Sequence, residues 1–148
     1  MVSIQTSTIA NPEFFDIFVY GTLKKGLSGH HHLEGAEYIG TAITSKKYLL
    51  TSNRYPFLSK AKELCYVKGE IYRVDKAKLT ILDEYEDVPD YYTREVINVL
   101  MDETNEMKEV YAYFCEKEVG KKVHEDGHYL EQIAEIVSEE TNNKVVNL

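Results

Sequence analysis

The sequence predicts an α+β domain. Strand-like stretches outnumber helical ones, the two kinds do not alternate as regular βαβ units, and glycine-containing or polar turns separate them. At 148 residues the chain is long enough for one domain with a real core.

Met1 to Pro12 is polar and without periodicity, so residues 1–12 are expected to form a loose N-terminal leader and residues 13–148 a single domain. Phe14 to Tyr20 is rich in aromatic and β-branched residues and reads as the first strand, central in its sheet. Gly21 to Leu33 follows as a loop with room for a short helical turn. Ala36 to Ile43 and Lys47 to Thr51 read as two strands joined by Thr44-Ser45-Lys46. Asn53 to Leu58 is a turn into a short edge segment, since Pro56 cannot donate to a ladder. Leu64 to Val74 is a long strand in which Gly69 marks a bulge or a close backbone approach. Asp75 stands where an N-cap is needed, and the helix after it runs to about Tyr85 or Glu86. Tyr92 to Met101 and Met107 to Cys115 flank a polar turn and form a hairpin. Glu116 to Gly127 is charged and irregular. From Tyr129 to about Glu139, Leu130, Ile133, Ala134 and Val137 follow a helical period, and the tail after Thr141 is expected to fray.

Composition narrows the function. A net charge of −8, with scattered basic pairs, argues against a nucleic-acid-binding face. No apolar run reaches the length of a membrane span, and the N-terminus lacks the basic-then-apolar pattern of a secretory signal. Cys65 and Cys115 lack metal-site spacing and are expected to be reduced core residues of a cytoplasmic protein. His30-His31-His32 is the one stretch suggestive of a metal. Three adjacent imidazoles cannot all point one way, however, so one is expected to pack under the loop and the others to be solvated.

Two stretches carry chemistry. In the first, Phe18-Val19-Tyr20-Gly21-Thr22-Leu23-Lys24-Lys25-Gly26, a buried strand breaks at Gly21, which tolerates unusual dihedrals and close approach. The amides beyond it are free to cradle a carboxylate or an oxyanion. The second stretch, Leu82 to Arg94, crowds Asp83, Glu84 and Glu86 at a helix end. Glu86 lies seven residues past Leu79 and four past Leu82, on the apolar face, whereas Glu84 turns to solvent and Asp83 is intermediate. Lost hydration, with neighbouring negative charge, should raise the pKa of Glu86 toward the range useful for proton transfer. A carboxylate at a helix C-terminus opposes the helix dipole, which makes it a poor choice for stability alone.

Together, Tyr20-Gly21-Thr22-Leu23 and the Leu82-Asp83-x-x-Glu86…Pro89…Tyr92-x-Arg94 spacing resemble the γ-glutamyl cyclotransferase-like family, and within it the γ-glutamylamine cyclotransferases. The likeness spans about Phe15 to about Phe114. It implies a small mixed-sheet β-barrel with flanking helices, no metal or organic cofactor, and a small γ-glutamyl substrate. Glu86 matches the family's general acid/base. Tyr20, Gly21, Thr22 and Leu23 match its substrate-binding loop, and Tyr92 and Arg94 the Tyr-x-Arg that follows the glutamate. Tyr55-Pro56-Phe57-Leu58 resembles a segment that borders the family's pocket.

Several roles have two readings. Arg94 either binds a carboxylate or pins Glu86, or else pairs with a neighbouring acid, and Tyr92 and Tyr113 either orient substrate or pack in the core. The implied reaction releases 5-oxoproline. Its rivals are a binding or regulatory protein on the same fold, and a metal-dependent hydrolase built on His30 to His32. Neither the leaving amine nor the oligomeric state is readable from the residues.

Overall fold

The structure is a computed structural model, and it describes residues 13–129. The expected leader and the expected helix beyond Tyr129 lie outside the described residues. The elements are β1 (Phe14–Val19), a 3-10 turn (His30–Leu33), β2 (Glu37–Ser52), β3 (Pro56–Ser59), β4 (Cys65–Asp75), α1 (Lys76–Tyr85), β5 (Thr93–Met101), β6 (Met107–Phe114) and β7 (Lys122–Val123).

Five strands close a mixed barrel in the order β1-β4-β2-β5-β6, and the circuit is completed by a parallel pairing of β6 with β1 at Ile17 and Tyr111. The other four pairings are antiparallel. Closure leaves the barrel strands without a free edge. The short strands β3 and β7 add to β2 outside the circuit.

β1 is buried on both faces, which explains its nearly unbroken apolar run. Phe18, with Tyr20 just beyond the strand, packs inside the barrel against Leu50, Val67, Ile71, Val99 and Phe114. Ile17 and Val19 face an outer cluster with Leu79 and Leu82 of α1, Tyr113 and Cys115. β6 divides in the same way: Ala112 and Phe114 point inward, Tyr113 and Cys115 outward. α1 is therefore clamped to the outer faces of β1 and β4, with Tyr113 of β6 bonded to its Asp83, which fixes where its C-terminal acids stand.

Asp75 caps α1 as its position predicts, its side chain accepting from the Lys78 amide at 2.8 Å, an interaction generally worth about 1 kcal/mol. The end of the helix is equally defined. Asp87 N–H donates to Glu84 O at 3.1 Å, Val88 N–H donates to Asp83 O at 2.9 Å, and Asp87 adopts φ 54°. This is a Schellman closure with a left-handed residue at C′, and it makes Glu86 the C-cap.

Two local expectations are corrected, and at Gly69 one of two readings is selected. The two strands expected over 36–51 are one, β2, whose register against β4 shifts between Ile43 and Lys47, so the polar Thr44-Ser45-Lys46 is absorbed as an irregularity rather than a turn. Gly69 is a close approach and not a bulge: a Cβ there would lie 2.5 Å from Val19 O and 2.7 Å from the Phe18 ring. Within the stretch expected to be irregular, Lys122–Val123 pairs with β2.

Candidate active site

The chain leaves β1 into a turn closed by Lys24 N–H donating to Gly21 O at 3.0 Å. Gly21 is required here for a reason the sequence did not reveal. Its φ is not left-handed; instead, a Cβ would stand 2.3 Å from Pro56 Cγ, so only glycine lets β3 close against the loop. The amides of Thr22 and Leu23, inside the turn, donate to no partner among the described residues. Lys24 does not join the site. Its buried ammonium donates to Tyr129 O at 2.6 Å and so fastens the loop to the segment after β7.

Facing this turn is a pocket of about 280 Å³. Phe18 to Leu23 form one wall, Tyr55 and Pro56 another, and Tyr85, Glu86, Asp87, Tyr91, Tyr92 and Tyr113 the rest. Two stretches more than sixty residues apart thus meet because α1 is pinned across β1. Tyr20, Gly21, Thr22, Leu23, Glu86 and Tyr92 all line the pocket, whereas Arg94 does not.

Arg94 instead holds Asp83, with Nε donating to Oδ1 at 3.0 Å and Nη2 to Oδ2 at 3.2 Å, and its guanidinium lies 4.8 Å from the Tyr111 ring centroid. The sequence left Arg94 between pinning Glu86 and pairing with a neighbouring acid; its bonds go to the acid one helical turn earlier. Tyr113 donates its phenol proton to Asp83 Oδ1 at 2.7 Å. Glu84 is exposed, in keeping with its outward position.

Glu86 is different. Its carboxylate makes no hydrogen bond or ion pair among the described residues. Burial pushes its pKa from 4.5 up to about 7. Neighbouring negative charge was expected to contribute to that rise, but burial is the only cause resolved. The field of Glu86 in turn reaches the surrounding phenols. Burial first, and Glu86 among the lesser causes, raise Tyr20, Tyr92 and Tyr113 well above the usual tyrosine range.

The phenols of the inner pocket are anchored. Tyr20 donates to Tyr113 O at 2.6 Å and Tyr92 to Pro56 O at 2.6 Å. Tyr85 sits at the rim, its hydroxyl 3.5 Å from Thr22 Oγ1, with the His32 ring packed on it, tilted by 37°, at a centroid distance of 4.0 Å. The histidine run is thus divided: His30 bonds Leu23 O at 2.9 Å, His31 bonds Ser28 O at 3.0 Å, and His32 braces Tyr85. Among the described residues no cluster of three or more His, Cys, Asp or Glu is arranged to hold a metal ion.

Sequence reasoning did not single out Tyr85, Asp87 or Tyr91 as pocket residues. The available signal was the density of tyrosine between 85 and 92, which period-based reading assigns to helix end and turn. Nor could it place Glu116 and Glu118. Glu116 accepts from Ser59 Oγ and Lys60 N–H, Glu118 accepts from the Tyr91 phenol, and Lys117 donates to Asp90 O. These contacts strap residues 116–118 over the loop that carries Tyr91 and Tyr92.

Comparison with known proteins identifies the family. Residues 17–131 match the model of the family described as gamma-glutamyl cyclotransferase, AIG2-like. A protein of Methanocaldococcus jannaschii is 34% identical over 114 residues, spanning 76% of this chain and 93% of its own. Gamma-glutamylaminecyclotransferase A of Danio rerio is 38% identical over 108 residues, spanning 66% of this chain and 67% of its own. The crystal structure of an AIG2-like protein from Mus musculus superposes with a TM-score of 0.68 at 27% identity, covering 78% of this chain and 88% of that one. Matched over most of its length in sequence and in fold, the chain belongs to the gamma-glutamyl cyclotransferase, AIG2-like family of enzymes.

Proposed function

We propose that the protein cyclises γ-glutamyl amines, releasing 5-oxoproline and a free amine, with Glu86 as general acid/base. The observation that carries this reading is an unpaired carboxyl with a pKa of about 7, standing in a pocket opposite two unpartnered backbone amides. A group poised near neutrality can take and return a proton with little penalty either way.

In the reaction, the α-ammonium of the γ-glutamyl group gives a proton to the Glu86 carboxylate and becomes nucleophilic. Its nitrogen attacks the γ-carbonyl carbon, and a five-membered ring forms. The C–N bond to the leaving amine then breaks as that nitrogen takes a proton from Glu86. Overall the α-nitrogen loses two protons and the leaving nitrogen gains two, so no oxidant, metal or external nucleophile is needed. The amides of Thr22 and Leu23 are the donors for the oxyanion or the substrate carboxylate, a contribution of about 3 kcal/mol per donor at such sites. Because the nucleophile is tethered, the main task of the pocket is to hold the substrate folded on itself. A γ-glutamyl amine is favoured as substrate by the named Danio rerio relative and by Tyr20-Gly21-Thr22-Leu23-Lys24-x-Gly26. Buried, unpaired Cys65 and Cys115 suit a reducing compartment, and we place the reaction in the cytoplasm.

The test is direct detection of 5-oxoproline from a panel of γ-glutamyl amines and γ-glutamyl amino acids, with Glu86→Gln alongside. Release that disappears in the folded variant is the expected result. Undiminished release in Glu86→Gln would remove Glu86 from the mechanism. Absence of release from every donor by the wild-type protein would make this a binding protein on an enzyme fold.

A further inference from the structure

A phenol has one proton to donate, and whatever else its oxygen offers is acceptor capacity. Three phenols of the inner pocket have already committed that proton to the protein. The Tyr92 proton goes to Pro56 O and the Tyr20 proton to Tyr113 O; carbonyl oxygens cannot donate, so the direction is fixed. The Tyr113 proton goes to Asp83 Oδ1. Arg94 donates to both oxygens of that carboxylate, so Asp83 acts there as an acceptor and the shared proton is the phenol's. The Asp83–Arg94 pair therefore sets the polarity of Tyr113 from behind the pocket wall.

The result is an inner surface whose three phenol oxygens only accept. No lysine, arginine or histidine side chain lines the pocket, and Glu86 adds a further acceptor whenever it is ionised. Such a surface complements a cation that donates several hydrogen bonds and repels a second anion. Within the γ-glutamyl group itself one group fits that description, the α-ammonium.

We propose that Tyr113, its hydroxyl proton held by Asp83, forms with Tyr92 and the ionised Glu86 an acceptor-only subsite that binds the substrate α-ammonium and selects for it. This rests on the cyclotransferase reading for the identity of the ligand, but not for the polarity of the site. Tyr113 then does more than fill the outer core. It presents the nitrogen to Glu86 in the orientation from which the first proton leaves.

The experiment uses two ligands that cannot cyclise: L-methionine sulfone, which keeps the α-ammonium and α-carboxylate and has a tetrahedral sulfur in place of the carbonyl, and its deamino analogue. Calorimetric titration of wild type at pH 7.5 should show the ammonium ligand bound at least about tenfold more tightly, the value of one good charge-assisted hydrogen bond. In Tyr113→Phe that preference should fall below about threefold while affinity for the deamino analogue stays within about twofold. Equal weakening of both ligands would mean that Tyr113 only supports the wall, and an unchanged preference would remove it from the subsite; either overturns the proposal. Tyr92→Phe, read in the same way, supplies a second variant if Tyr113→Phe folds poorly, and should also narrow the preference. Parallel measurement of 5-oxoproline release separates the two ideas. Release by wild type, with the preference intact in both variants, defeats the subsite and leaves the activity. An ammonium preference in wild type that both variants lose, without release from any donor, defeats the activity and leaves the subsite.

Discussion

Asp83 and Glu86 stand at the same end of the same helix, three residues apart, yet they meet opposite surroundings. Asp83 receives two nitrogens of Arg94 and the phenol of Tyr113. Glu86, one turn on, receives none among the described residues and is pushed up to about 7 by burial. Helical geometry explains the division: Asp83 is carried toward β5 and β6, whose side chains include Arg94 and Tyr113, and Glu86 toward the mouth between α1 and the Gly21 turn. A carboxylate surrounded by donors is a structural part, whereas one deprived of them is chemically restless. The lesson is that the number of acids near a helix end says little, and their partners say nearly everything.

The largest expected effect that tests this contrast is on turnover. Glu86→Gln removes the proposed proton carrier and should lower kcat by about 10²- to 10⁴-fold, the usual value of a positioned general acid/base, in a steady-state assay of 5-oxoproline.

The second test is thermodynamic and runs against intuition. The unfolded chain ionises Glu86 near 4.5, and the native state only near 7. The native protonated form is therefore favoured between those values, and the contribution of this group to stability, complete below 4.5, is lost as pH rises through 7. Above 7 the half-buried carboxylate costs up to about 3 kcal/mol. Urea titrations should find Glu86→Gln more stable than wild type by up to that amount at pH 8 and nearly equal to it at pH 4.5. A variant that is less stable at pH 8 would contradict the unpaired, buried state of Glu86.

Breaking the paired acid should have the opposite sign. Arg94→Leu leaves Asp83 with a phenol alone. Both partners of the pair are about a quarter exposed, 26% for Arg94 and 23% for Asp83, so the loss is set at about 1–2 kcal/mol rather than the larger value of a fully buried pair. Thermal unfolding at neutral pH should show a lowered midpoint.

The smallest effect sharpens the cause of the Glu86 shift. Asp87 is left-handed at φ 54° and adds negative charge to a helix C-terminus. Asp87→Gly should raise stability by a few tenths of a kcal/mol, to at most about 1. The acid limb of the kcat/KM profile should stay near 7, because burial, not the adjacent charge, raises Glu86. A downward move of that limb would restore charge repulsion as a cause.

Most of the architecture was legible because it is written in local pattern. The double-sided run of β1, the Asp75 cap, the hairpin of β5 and β6 and the inward place of Glu86 all follow from spacing. Barrel closure was not, since the parallel pairing of β1 with β6 joins residues nearly a hundred positions apart and leaves no periodic trace; resemblance alone suggested it. At the site, the Gly21 loop and Glu86 could be singled out by residue type. The partner of Arg94 could not, because guanidinium and carboxylates stand at several compatible spacings between 83 and 94. The requirement for Gly21 was also misread: the sequence shows that a glycine is there, but only the contact with Pro56 shows why. Residues 116–118 had no readable role, because each bonds a segment at least 25 residues away.

The phenol-lined pocket has one more consequence, and it is optical. The chain has 12 tyrosines and no tryptophan, so its near-ultraviolet absorption and emission belong to tyrosine, without the indole that usually masks it. Tyr20, Tyr55, Tyr85, Tyr91, Tyr92 and Tyr113 line the pocket, half of all the emitters in the molecule. Ligand entry and the ionisation of Glu86 thus occur against six intrinsic chromophores. Occupancy and protonation can be followed by the unlabelled protein's own fluorescence, on the timescale of mixing, with no reporter attached.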